Sequence, residues 1–179
     1  MKKSFSNKVI ATILLTLSLI ATLFVNEVFA EGKINVGDEI TNFALPDGIT
    51  GAKVSYNTDI KGKSKVFILS FMTTTCMACK KEMTLLSSLA NEYSADLKVY
   101  AISVDFNGEK TVPEYDKAYG FKVARYMLDP DFKVPHLFGF SFTPSLVVAT
   151  GDGKIVYMKG GFVDDDTDEV SEAVKDALK

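Results

Sequence analysis

The chain has 179 residues, 47% of them apolar, which is enough to fill the core of one ordinary domain. Its 20 Lys and Arg against 23 Asp and Glu give a formal charge of -3, so there is no basic field to hold a phosphate backbone and no nucleic-acid role is expected. Two Cys and a single His cannot by themselves assemble a four-ligand zinc site, and the apolar content argues against a disordered or collagen-like chain.

The first element is a leader. Lys2, Lys3 and Lys8 precede Val9 to Val25, a run of 17 residues of which 13 are apolar, and Val28 and Ala30 then stand where a signal peptidase reads small residues. The pattern predicts an export signal over residues 1–30 with cleavage before Glu31, leaving a domain over 31–179 with a formal charge of -5. The alternative is an uncleaved anchor formed by residues 9–25. Either route places the domain in the periplasm or on another extracytoplasmic face. With no Cys in the leader, lipid acylation there is not expected.

Between Ile34 and Lys63, the turn-forming clusters Val36-Gly37-Asp38, Leu45-Pro46-Asp47-Gly48 and Ile60-Lys61-Gly62-Lys63 punctuate short extended pieces and predict an N-terminal β-hairpin. Val66 to Phe71 is apolar apart from one Ser, the composition of a strand buried on both faces. From about Cys76 to Ser94, apolar residues recur at three- and four-residue steps and predict a helix. Leu97 to Val104 is a second buried strand ending at Asp105, and Pro113 to Tyr119 reads as a short helix closed by Gly120. Val123 to Leu128 is extended and Asp131 to Phe138 a helical turn or two. Gly151-Asp152-Gly153 between two apolar runs predicts a hairpin, and Val170, Val174, Ala177 and Leu178 share one face of a closing helix behind Asp164, Asp165, Asp166 and Asp168. The order describes an α/β domain with a central mixed β-sheet covered on both sides.

Chemistry centres on Cys76-Met77-Ala78-Cys79, set where the buried strand gives way to the helix. Unpaired backbone N–H groups and the positive end of the helix dipole stabilise a thiolate at Cys76, and Lys80 on the same face adds positive charge. Cys79, one turn inside, is placed to attack a mixed disulfide formed at Cys76. A purely structural bridge is the plainer alternative, yet one spanning two intervening residues constrains the unfolded chain weakly. A copper-binding delivery module using both Cys and His136 is another. A third is a peroxiredoxin-like thiol peroxidase, for which Thr73 fits the pattern around the peroxidatic Cys but Leu69 replaces its Pro.

Ser70 to Met83 resembles the active-site segment F-W-x-x-W-C-x-x-C-x-x-E of exported thioredoxin-like thiol-disulfide oxidoreductases of the TlpA and ResA type, related to the AhpC/TSA proteins. Phe43-Ala44-Leu45-Pro46-Asp47 is similar to the family's opening F-x-L-P-D, Lys61-Gly62-Lys63 to its G-K turn, and Phe142-Thr143-Pro144-Ser145 to the T-P that carries its cis-proline. The resemblance implies a thioredoxin fold with an inserted segment after Tyr100. It also implies a thiol-disulfide oxidoreductase acting on protein thiols and disulfides, in cytochrome c maturation or a related extracytoplasmic pathway, with a membrane thiol-electron donor, a monomeric state and no cofactor or metal. Cys76 and Cys79 would be the redox pair, Glu82 the group that moves protons, and Thr143 and Pro144 the substrate-pairing edge. A Glu in the first turns of a helix is also favoured by the dipole alone. Met72 and Thr75 stand where the family commonly has Trp, and Ser70 stands where cytoplasmic thioredoxins carry a buried Asp. Met77-Ala78 contains neither the Pro frequent in reducing members of the family nor the His of strongly oxidising ones, and the absence of an imidazolium beside the thiolate points toward a reductant.

Overall fold

A computed structural model describes residues 33–179; the leader expected over residues 1–30 lies outside them. The elements, in order, are β1 (Ala44–Pro46), β2 (Lys53–Ser55), a single π-helical turn (Tyr56–Ile60), β3 (Val66–Met72), α1 (Met77–Glu92), β4 (Leu97–Ser103), α2 (Gly108–Tyr119), β5 (Arg125–Leu128), α3 (Lys133–Leu137), β6 (Ser145–Thr150), β7 (Ile155–Gly160) and α4 (Asp166–Leu178). β1 and β2 form the expected antiparallel hairpin, and the other strands form one sheet in the order β5-β4-β3-β6-β7. β3 is central. It runs parallel to β4 and antiparallel to β6.

Every residue of β3 is buried, as its unbroken apolar run requires. Phe67, Leu69 and Phe71 face a core shared with Phe43, Tyr56 and Phe138, while Val66, Ile68 and Met72 face Met83 and Leu86 of α1 and Val170 and Val174 of α4. Strand alternation therefore puts Ser70, a lone hydroxyl, on the α1 side.

The opening motif has a structural use. The Asp47 carboxylate accepts hydrogen bonds from the N–H groups of Ile49 (2.9 Å) and Thr50 (2.8 Å), and its other oxygen pairs with Arg125 at 3.1 Å. Burial acts to raise its pKa, but these bonds outweigh it and hold the carboxyl below its usual range. One acid thus closes the hairpin turn and fastens it to β5.

Helix α2 begins five residues before the Pro that the sequence suggests as its first turn. Gly108 opens it by packing against Leu128, where a Cβ would stand 2.8 Å from a Leu128 methyl, and the buried Val112 and Tyr115 carry it through Pro113. Burial of that face outweighs the signal of the Pro. Gly120 closes the helix in the left-handed conformation, as expected.

At the β6–β7 hairpin, Gly153 has φ +98° and the hydroxyl of buried Tyr56 occupies the place a Cβ would take. Gly153→Ala is expected to cost about 2–4 kcal/mol through backbone strain and overpacking combined. Urea unfolding would read it, and an unchanged midpoint would show that Tyr56 moves aside freely.

Candidate active site

β3 delivers the chain to the site. It ends at Met72, and Thr73–Thr75 lead to Cys76, which occupies the N-cap of α1 in extended conformation. The Cys76 sulfur accepts a hydrogen bond from the backbone N–H of Cys79 at 3.0 Å, the role that a Ser or Asp oxygen plays at an ordinary N-cap. The two cysteines are joined as a disulfide with Cα atoms 5.2 Å apart. Cys76 is half-buried and Cys79 fully buried. No acid lies in the first turn of α1, so nothing there opposes the dipole's attraction for a thiolate.

Lys80 does not serve that attraction in the expected way. Its ammonium lies over the ring of Tyr119, 4.1 Å from the centroid. Lys81 reaches across to Asp164 at 2.9 Å, tying the first turns of α1 to the loop before α4.

Glu82 is fully buried, three residues after Cys79 on the inward face of α1. The Ser70 hydroxyl donates to its Oε1 at 2.7 Å, and Oε2 has no hydrogen-bond partner. Burial pushes its pKa up to about 8, and the Ser70 hydrogen bond only partly offsets this. At neutral pH the group is therefore mostly a carboxylic acid, able to hold or release a proton near physiological pH.

The Thr143–Pro144 peptide is cis. In register, Phe71 stands opposite Ser145, so Pro144 falls at the level of Met72, at the end of β3 that leads to Cys76. Pro144 is buried and Thr143 half-buried; the Pro144 carbonyl accepts from the N–H of Gly161 at 2.8 Å. Of the two positions that commonly hold Trp in the resembling family, Met72 is buried beneath the site and Thr75 is exposed.

Two supporting groups were not evident as site residues in the sequence. Asp105 accepts from the N–H of Thr74 at 2.9 Å and from the Ser103 hydroxyl at 2.8 Å, so the end of β4 straps the loop before Cys76. Its one sequence signal is an acid directly after a buried strand. Ser70 carries the other, a lone hydroxyl in an apolar strand. His136 is exposed beside Phe132, with ring centroids 5.1 Å apart. Among the described residues no group of three or more His, Cys, Asp or Glu side chains is placed to hold a metal ion.

A mixed sheet of this order, with a Cys-x-x-Cys disulfide at the N-terminus of the helix after its central strand and a cis-proline beside that strand's end, defines a thioredoxin-fold redox protein. The sequence profile of the AhpC/TSA family matches residues 36–158, and the chain belongs to that family. The thiol-disulfide oxidoreductase ResA of Bacillus thuringiensis is similar, 29% identical over 150 residues that make up 83% of each chain. Among solved structures, a putative thiol:disulfide interchange protein DsbE from Chlorobium tepidum superposes with a TM-score of 0.70 at 20% identity, covering 82% of this chain and 99% of its own. A putative thioredoxin from Neisseria meningitidis superposes with a TM-score of 0.60 at 29% identity, covering 79% and 92%. The fold expected from the sequence is the fold observed.

Proposed function

We propose that this thiol-disulfide oxidoreductase works outside the cytoplasm, exported by residues 1–30 or anchored by residues 9–25, and that it reduces disulfides in partner proteins. The observation that carries the direction is the buried, mostly protonated Glu82 beside Cys79, together with a Met77-Ala78 dipeptide that offers no cation to the reduced pair. Nothing in that arrangement beyond the helix terminus stabilises the dithiolate strongly, and a reduced form that is not specially stabilised gives up its electrons readily.

In the forward reaction the Cys76 thiolate attacks one sulfur of the substrate disulfide, forms a mixed disulfide and expels the other sulfur as a thiolate that takes up a proton. The Cys79 thiol then passes its proton to the Glu82 carboxylate and attacks the Cys76 sulfur. The second substrate thiol leaves, and the Cys76–Cys79 disulfide remains. Two electrons have moved to the substrate. A dithiol donor at the membrane restores them, with protonated Glu82 returning its proton to Cys79 as that sulfur leaves. Thr143, whose backbone takes no hydrogen-bond partner among the described residues, supplies an edge for an extended substrate segment beside Cys76.

Equilibration with glutathione and dithiothreitol series tests the direction. The potential is expected nearer that of thioredoxin, about -270 mV, than that of DsbA, about -120 mV. A value at the upper end would make the protein an oxidant and reverse the assignment.

A further inference from the structure

The ring of Phe106 is 93% exposed, yet the backbone that presents it is held on both sides. Before it, the N–H of Asp105 donates to the Ser103 hydroxyl at 3.2 Å, and the Asp105 carboxylate bonds Ser103 and Thr74. After it, the N–H of Gly108 donates to the Asp105 carbonyl at 3.2 Å, and Gly108 packs so closely on Leu128 that a Cβ would stand 2.8 Å from its methyl. A phenyl ring left in water costs solvation without adding to the core.

Its position gives it a use. The Asp105–Thr74 bond places Phe106 one residue from a strap whose other side is two residues before Cys76. Met77, 71% exposed, lies between the cysteines, and Phe142, 53% exposed, precedes the cis-proline that closes the same end of the sheet. Three exposed apolar side chains from three separate segments thus belong to the end of the sheet that carries Cys76. Phe106 is the most exposed of them.

We infer that Phe106 is a specificity-determining residue of the exchange reaction: it receives an aliphatic or aromatic side chain that lies next to the reacting cysteine in the partner polypeptide. The inference rests on the oxidoreductase reading above and adds the class of substrate. Preorganisation matters here, because the flanking backbone is already hydrogen-bonded and has less freedom to lose when a partner covers the ring. Segments with an apolar residue beside the cysteine are thereby preferred over polar ones.

The test uses the full chain, driven by dithiothreitol, on two disulfide-linked peptides that differ only in the residue beside each cysteine, Leu in one and Ser in the other. The wild-type kcat/KM is expected to favour the Leu peptide by roughly tenfold, the scale of partly burying one ring. Phe106→Ala should bring the ratio to within about twofold, and Phe106→Leu should restore most of it. Thermal unfolding of both variants should match the wild type, since the ring adds little to the core. An unchanged ratio in Phe106→Ala overturns the inference, and so does a variant that keeps the ratio but no longer sediments with phosphatidylglycerol vesicles, which would assign the ring to a lipid surface. A wild-type protein that reduces neither peptide would instead remove the oxidoreductase reading on which the inference stands.

Discussion

Glu82→Gln is expected to make the protein more stable at neutral pH and slower in disulfide reduction. Below about pH 4.5 the folded and unfolded chains both hold the Glu82 proton, and between there and about pH 8 only the folded chain does. Stability from this group is thus complete at low pH and lost as pH rises through that window, a loss of roughly 3 kcal/mol by pH 7. Gln escapes it but leaves amide hydrogens unpaired where Oε2 now lies alone, so the net gain near pH 7 should be about 1–3 kcal/mol. Catalysis moves the other way. Without a group to take the Cys79 proton, turnover should fall about 100-fold, and the rise in rate between pH 6 and 9 that follows Glu82 ionisation should flatten. Urea titrations at pH 5 and pH 8, paired with a pH–rate profile, would check both. Parallel stability curves for the two proteins, or an unchanged profile, would leave Glu82 as a buried carboxyl with no part in the exchange.

The cysteine variants should give opposite results. Cys79→Ser leaves the half-buried Cys76 sulfur at the helix N-terminus and removes the thiol that resolves its adducts, so mixed disulfides with partner proteins should accumulate and be visible on non-reducing gels. Cys76→Ser leaves only a fully buried sulfur. It should trap none and react with iodoacetamide at least about tenfold more slowly at neutral pH, because a buried thiol has less thiolate and less access. Equal trapping by both variants would undo the assignment of Cys76 as the attacking group.

What could be read in advance followed from how local the signal was. The unbroken apolar run of β3, the Gly-Asp-Gly between β6 and β7, and the Cys pair at a strand-to-helix junction each lie within a few residues, and each appears where expected. The start of α2 depends on Gly108 meeting Leu128, two residues that are neighbours only after β4 and β5 pair, so the local signal of Pro113 pointed too late. The partnership of Ser70 with Glu82 is of the same kind. The sequence shows a hydroxyl in a strand and an acid in a helix, and only the packing of α1 on the sheet brings them to 2.7 Å. Lys80 was legible as a charge near Cys76 but not as a partner for Tyr119, whose position is set by the far end of α2.

The direction in which the strands run determines when this site can exist. β3 has one neighbour leaving and one arriving at the end that carries Cys76: β4 departs there and contributes Asp105, while β6 enters there and contributes Pro144. A uniformly parallel sheet would bring only departing segments to that end. Here the arriving one belongs to the last third of the chain, so the reaction centre is a product of high contact order. During synthesis the chain carries the cysteines, the residues of α1 and Asp105 well before residues 143–145 follow. Until then it holds a thiol pair without the cis-proline and the arriving strand that complete this end of the sheet.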